Sequence, residues 1–229
     1  MVATVCGRYS LSTGVDVLKG LFGIGGEAPA LAPRWNVAPT QPVAVVVVTN
    51  ERDRALRTMR WGLVPSWAKD PSIGNRMINA RAETLAEKPS FRDALRRRRC
   101  IVVADGFYEW RKEGTRKQPL WIRPRDGGVL AFAGLWDTWR SPDGEVLDTC
   151  TIVTTRANGT MAPFHERMPV ILPPAAWDRW LDPAPADPAS LADLLGPAPD
   201  DLLEVREVST RVNSPANEGP GLLDGPTGS

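Results

Sequence analysis

Between residues 100 and 154 the chain alternates strand-like runs with turn signals. The runs "CIVVA", "FYEWR", "PLWIR", "VLAFAGLW" and "DTCTIVT" are interrupted by "KEGTR", "RDGG" and "SPDGE". Strands linked by connections this short suggest an antiparallel sheet. Upstream, residues 43–49 and 56–62 read as two more strands, and "LLEVREVS" as a last one. This pattern predicts an α+β chain built on a mainly antiparallel, barrel-like β-sheet with peripheral helices.

The helices are few and short. "STGVDVLKGLFG" carries Ser12 or Thr13 as an N-cap, apolar residues at helical spacing and a glycine stop. "SFRDALRRRR", with Ser90 as cap, "PPAAWDRWL" and "PASLADLLG" follow the same logic. "APRWNVAPTQP" reads as a Pro-rich loop. "WGLVPSWAKDPSIGNRMINARAET" is long, irregular and therefore a candidate functional segment. With no repeat and no composition break, one domain is expected over residues 6–210. Residues 211–229, rich in Gly, Pro and small polar residues, read as a flexible tail.

Composition narrows the partners more than the fold. The net charge of the 229 residues is +1, so any nucleic-acid site must be a local patch. The three cysteines, Cys6, Cys100 and Cys150, form no C-x-x-C pair and no zinc spacing, which predicts reduced thiols and no metal site. "VAVVVVTN" is too short to span a bilayer, and no basic leader precedes an apolar stretch. A cytoplasmic protein off the membrane is expected.

Three polar residues stand in contexts that suit chemistry. His165 is the single histidine, in the Pro-flanked "APFHERMP". A lone histidine is more often structural, but a loop position beside Arg167 suits a proton shuttle. Glu109 lies in the apolar, aromatic "VVADGFYEWR". Strand alternation puts Phe107, Glu109 and Arg111 on one face and Tyr108 and Trp110 on the other. An inward Glu109 would have a raised pKa and could exchange protons; an outward one would be a solvated charge. Asn79, in "MINARAET", offers two donors and an acceptor inside the irregular segment. Arg8, Arg81 and Arg167 neighbour these candidates and suit bidentate phosphate contacts. The "RRRR" run at 96–99 reads first as a solvated helix end complementing the dipole. Of the nine tryptophans, Trp35, Trp61, Trp67 and Trp110 fall in or near candidate loops, where an exposed ring could stack on an unpaired base.

Singly these signals are weak; their joint order is specific. "CGRYS", "RWNVAPTQ", "RWGLVPSWAKD", "INARAET", "ADGFYEW" and "HERMP", in that order over about residues 6–210, resemble the SRAP (SOS response-associated peptidase) family of abasic-site processing proteins. The resemblance implies a cofactor-free monomer that crosslinks to abasic sites in single-stranded DNA, shielding them during the DNA damage response, in the cytoplasm or on the nucleoid. It places the family's catalytic cysteine, asparagine, glutamate and histidine on Cys6, Asn79, Glu109 and His165. Arg8 and Arg81 match its phosphate-binding arginines, and Asn36, Pro39 and Trp67 match loops lining its DNA groove. In the implied chemistry Asn79 helps hold the α-amine of Cys6, Glu109 exchanges protons and positions the sugar's O4′, and His165 assists ring opening.

That chemistry needs Cys6 as a terminal residue, because an amide nitrogen is planar and non-nucleophilic. Residues 1–5, "MVATV", therefore read as a leader to be removed or as a misassigned start, Val5 being encodable by an alternative initiation codon. Two rival readings stay open. Cys6, His165 and Asn79 could form the Cys-His-Asn set of a thiol peptidase that exposes Cys6 by its own cleavage. The arginines and tryptophans could instead serve a non-catalytic single-strand binding module.

Overall fold

A computed structural model describes residues 6–49 and 52–226. The leader reading for Met1–Val5 and the last three residues, 227–229, lie outside the described residues. In chain order the strands are β1 (Tyr9–Leu11), β2 (Arg34–Val37), β3 (Pro42–Val48), β4 (Arg54–Trp61), β5 (Asn79–Arg81), β6 (Arg99–Ala104), β7 (Gly106–Glu113), β8 (Arg116–Pro124), β9 (Leu130–Arg140), β10 (Val146–Arg156), β11 (Arg167–Pro169) and β12 (Leu203–Glu207). The α-helices are α1 (Val15–Phe22), α2 (Arg92–Arg97) and α3 (Trp177–Leu181).

The predicted α+β class and barrel-like sheet hold. One sheet has the order β12-β8-β7-β1-β2 and is antiparallel throughout. In the other, β10-β4-β3-β6-β9 closes through the β9–β10 pairing into a five-stranded barrel, with β5 and β11 added to β10. Two pairings are parallel, β10 with β4 and β10 with β5; the long irregular segment provides the return. Tyr9 packs on Trp61 (ring centroids 5.3 Å) and Phe132 (6.4 Å), and Phe107 on Phe132 (5.9 Å). These aromatic contacts seal one face of the open sheet against the barrel and fix where β1 and β7 present their other residues.

Local chemistry explains the element ends. α1 stops at Gly23, whose φ of 65° suits glycine; the Gly23 N–H donates to the Lys19 carbonyl, as does that of Ile24 at 2.9 Å. The expected caps Ser12 and Thr13 do not cap; Gly14 holds that position, and both hydroxyls donate to Asp105. Likewise Ser90 lies outside the α2 cap, which is Phe91. "PASLADLL" is a 3₁₀ segment capped by Asp187 rather than an α-helix. The "RRRR" run divides its work. Arg96 and Arg97 are exposed in the last turn of α2, Arg98 pairs with Asp137 at 3.2 Å, and buried Arg99 donates to the carbonyls of Trp180 and Leu95 at 2.7 and 2.8 Å.

The tail expected from residue 211 is corrected by the structure through Pro226. Residues Thr210–Asn213 and Pro220–Leu223 are 3₁₀ turns that cover the outer face of the open sheet. Val212 and Leu222 are fully buried there with Val208, Tyr108 and Trp121. Glycine and proline made this segment look unable to bury anything. Two well-placed apolar residues, together with a polar clamp from β2 described below, suffice to hold it.

Candidate functional site

Glu109 faces inward, as the first of its two readings required. It is only 5% exposed, and one carboxylate oxygen accepts the backbone N–H of Cys6 at 2.9 Å. The alternation along β7 explains the direction: Phe107 joins the main core, while Tyr108 and Trp110 join the outer cluster. Burial raises the carboxyl from 4.5 to about 7, and the Cys6 N–H opposes the rise only in part. Such a group can accept and return a proton near neutrality. Cys6 itself is buried, with φ at 45°. Burial first, and the neighbouring Glu109 charge second, push its thiol well above the ordinary range. A thiol in that setting stays protonated.

β10 carries the rest of the site. The phenol of Tyr9 in β1 is pushed well up by burial and then by the thiols of Cys150, in β10, and Cys6. β5 pairs with β10 two residues on, Asn79 opposite Ile152 and Arg81 opposite Thr154. Alternation turns Ala80 into the core and sets Asn79 and Arg81 together on the other face, Arg81 exposed. β11 pairs with the same end of β10, with Arg156 opposite Arg167. His165, just before β11, is half-buried, and its Nδ1 accepts the Arg167 N–H at 3.0 Å. This bond places the proton of the neutral ring on Nε2. Cys6 and Glu109 thus belong to the open sheet, while Asn79, Arg81 and His165 lie along or beside the end of β10 in the other. Arg167 is engaged within the protein: it grips the Glu83 carboxylate at 2.9 and 3.1 Å and the Thr154 carbonyl at 2.7 Å.

The three residues expected to line a DNA groove, Asn36, Pro39 and Trp67, behave differently from one another. Trp67 projects into solvent at 59% exposure from a loop that is otherwise tied down. The Ser66 N–H donates to Asp137, the Val64 N–H to Thr149 and the Trp139 indole to the Ala68 carbonyl, at 3.0, 2.8 and 2.7 Å. Gly62 and Gly74 meet backbone to backbone beneath it; a Cβ on Gly62 would lie 2.5 Å from the Gly74 carbonyl oxygen. Pro39 sits at the second position of a turn closed by Gln41 N–H to Ala38 C=O (3.3 Å). Thr40 follows at φ 71°, a left-handed conformation costly for a β-branched residue and typical of strained sites.

Asn36 and Arg8 point inward to a shared clamp. Asn36 is fully buried; its amide donates to the carbonyls of Ser214 and Asn217, both at 2.9 Å, and accepts from Arg8 at 2.6 Å. Arg8 also donates to the Val212 carbonyl at 2.9 Å and lies 5.8 Å from the Trp110 ring centroid. This clamp, the Gly62–Gly74 contact and the Asp137 and Thr149 tethers were missed by sequence reasoning. Their partners lie a dozen or more residues away, and no local motif marks them. Among the described residues no cluster of three or more His, Cys, Asp or Glu could hold a metal ion. No helix among them is long and apolar enough to cross a membrane.

The sequence model of the SOS response associated peptidase (SRAP) family matches residues 5–215. The chain belongs to the SRAP family. Its relatives include the abasic site processing protein YoqW of Bacillus subtilis, 44% identical over 96% of this chain and 99% of the relative. The abasic site processing protein HMCES of Gallus gallus is 38% identical over 75% of this chain and 57% of its own. A crystal structure of a protein from Bacteroides thetaiotaomicron superposes with a TM-score of 0.86 at 27% identity, covering 96% of this chain and 99% of that one. The SRAP match spans both sheets and the six sequence blocks that carried the resemblance.

Proposed function

We propose that this chain processes abasic sites in single-stranded DNA by forming a covalent crosslink through Cys6. The observation that carries the reading is the Cys6 nitrogen held at 2.9 Å by a carboxyl whose pKa is about 7. An open-chain abasic sugar presents an aldehyde at C1′. A neutral α-amine adds to it and water leaves, giving a Schiff base. The thiol then adds across the C=N bond, closing a five-membered thiazolidine; its proton passes to the ring nitrogen and no redox partner is required. In this reading Glu109 takes a proton from the attacking nitrogen and returns one to the departing hydroxyl. Asn79 and His165 flank the sugar from β5 and the β11 approach, with Arg81 on a neighbouring phosphate. The stable adduct shields the lesion, a role suited to the SOS and DNA damage responses. Strand cleavage by β-elimination from the Schiff base is the accompanying lyase reaction.

The reaction requires the Cys6 nitrogen to be freed from its bond to Val5. An α-amine is then roughly a tenth neutral at pH 7 without assistance. The thiol-peptidase reading receives less support, because a buried thiol pushed up in pKa is a poor nucleophile toward an amide. Single-stranded DNA carrying one abasic site separates the readings. The chain beginning at Cys6 gives an adduct that survives heating and denaturant, detected by intact mass. Cys6→Ala gives none, although its terminal amine can still nick the strand. A stable adduct on protein that retains Met1–Val5 overturns the thiazolidine route.

A further inference from the structure

We infer that Trp61 is a positioning residue for the crosslinking reaction, its indole N–H fixing Asn79 relative to the Cys6–Glu109 pair. This rests on the crosslinking reading above. Trp61 ends β4 and is fully buried. Its ring and its N–H touch different sheets. The ring packs on Tyr9, with centroids 5.3 Å apart. Tyr9 lies in β1 three residues after Cys6, and it pairs with Phe107, two residues before Glu109. The indole N–H donates to the Ile78 carbonyl at 2.8 Å, and Ile78 immediately precedes Asn79. One side chain thus touches both the strand that follows Cys6 and the residue joined to Asn79.

The hydrogen bond acts on the right peptide. The Ile78 carbonyl also accepts the Ile152 N–H, at 3.1 Å. Two donors occupy its two lone pairs and fix its direction. That carbonyl shares one planar peptide with the Asn79 nitrogen, so its direction sets where the Asn79 side chain starts. Farther along β5, Ala80 and Arg81 are held by their own pairing with Val153 and Thr154. Loss of the indole donor therefore loosens the Asn79 end of β5 more than the Arg81 end. The backbone of Trp61 holds the Pro39 turn as well: its carbonyl accepts the Thr40 N–H at 2.8 Å and its N–H donates to the Gln41 carbonyl at 2.9 Å. Those bonds survive a change of side chain, so the effect of the indole can be isolated. A buried indole needs an acceptor of some kind. Here the acceptor adjoins the site amide while the ring leans on the strand of the nucleophile.

The test is single-turnover crosslinking to single-stranded DNA bearing one abasic site, at saturating protein whose Cys6 amine is free. Trp61→Phe keeps an aromatic ring against Tyr9 and deletes the donor. It should slow adduct formation by roughly tenfold to a hundredfold, the scale on which a misplacement of about 1 Å acts. Affinity for an oligonucleotide carrying a non-reactive tetrahydrofuran abasic analogue should stay within about twofold of wild type, because Arg81 keeps its ladder. In an Asn79→Ala background, Trp61→Phe should have no further effect on rate, since a residue acting through Asn79 has nothing left to position. General loosening of the domain would slow both backgrounds by the same factor. Replacing Trp61 by β-(3-benzothienyl)alanine keeps both fused rings with sulfur in place of the N–H; it should match the slow rate of Trp61→Phe at wild-type affinity, even where the smaller phenyl ring lowers Tm. A wild-type rate in the benzothienyl protein, or equal slowing in both backgrounds, overturns the positioning role alone. Absence of any adduct from the wild-type chain with a free Cys6 amine overturns the crosslinking reading and the positioning role together.

Discussion

Replacing Glu109 by Gln isolates the titration that the proposed chemistry depends on. Burial raises the Glu109 carboxyl from 4.5 to about 7 in the folded chain. The folded state therefore holds its proton more tightly than the unfolded state. The stability this contributes is complete below about pH 4.5 and is lost as pH rises through about 7. At 1.36 kcal/mol per pH unit between the two values, the loss is about 3 kcal/mol. Glutamine fills the same space, can still accept the Cys6 N–H and has no proton to lose. Glu109→Gln and wild type should thus keep a constant offset only below about pH 4.5. By pH 8.5 the variant should gain roughly 6–12 °C in Tm relative to that offset, at 2–4 °C per kcal/mol for a chain this size. Thermal melts at constant ionic strength from about pH 3.5 to about 8.5 read this directly. Freeing the Cys6 nitrogen should shrink the effect, because an ammonium 2.9 Å from the carboxylate favours its charged form. Parallel Tm curves for wild type and Glu109→Gln across the whole range would refute a buried, raised carboxyl at this position.

Two further perturbations test how the site is held. Gly62→Ala drives a Cβ to 2.5 Å from the Gly74 carbonyl at a φ of 131°, so it should cost about 1–3 kcal/mol; a Tm within 1 °C of wild type would show that the Trp67 loop does not need the close backbone contact. Asn36→Ala strips the donors from the Ser214 and Asn217 carbonyls, so amides of residues 211–226 should exchange with deuterium faster while barrel amides keep their protection; uniform exchange would place the hold on this segment elsewhere.

The strand runs of the second half were legible from their apolar content and turn signals, but only β7–β8 and β9–β10 pair as neighbours; the short β6–β7 and β8–β9 connections pass from one sheet to the other. The strands β6 to β10 formed close to where those runs lie. Strands β1, β2, β5 and β11 were not called, since three or four residues cannot display a period. They exist because a longer neighbour offers hydrogen bonds: β10 accepts both β5 and β11. Those four short strands are also the ones that carry or adjoin Arg8, Asn36, Asn79, Arg81 and His165. The direction of Glu109 followed from the sequence only as one of two faces. Packing of Phe107 into the main core decided which face it took, and the decision moved its pKa by burial.

The sequence by itself determined the class of fold and the order of the blocks that carry the SRAP resemblance. Each depends on covalent identity or on contacts only a few residues long. Tertiary structure decided that Asn36 and Arg8 clamp residues 212–217, that Arg98 and Arg99 brace the interior, and that Arg167 is paired with Glu83. It also set the Cys6 nitrogen against Glu109, 103 residues away. A polar side chain has the same hydrogen-bonding capacity whether it meets water, DNA or its own backbone. Only the folded chain brings the competing partner near enough to choose.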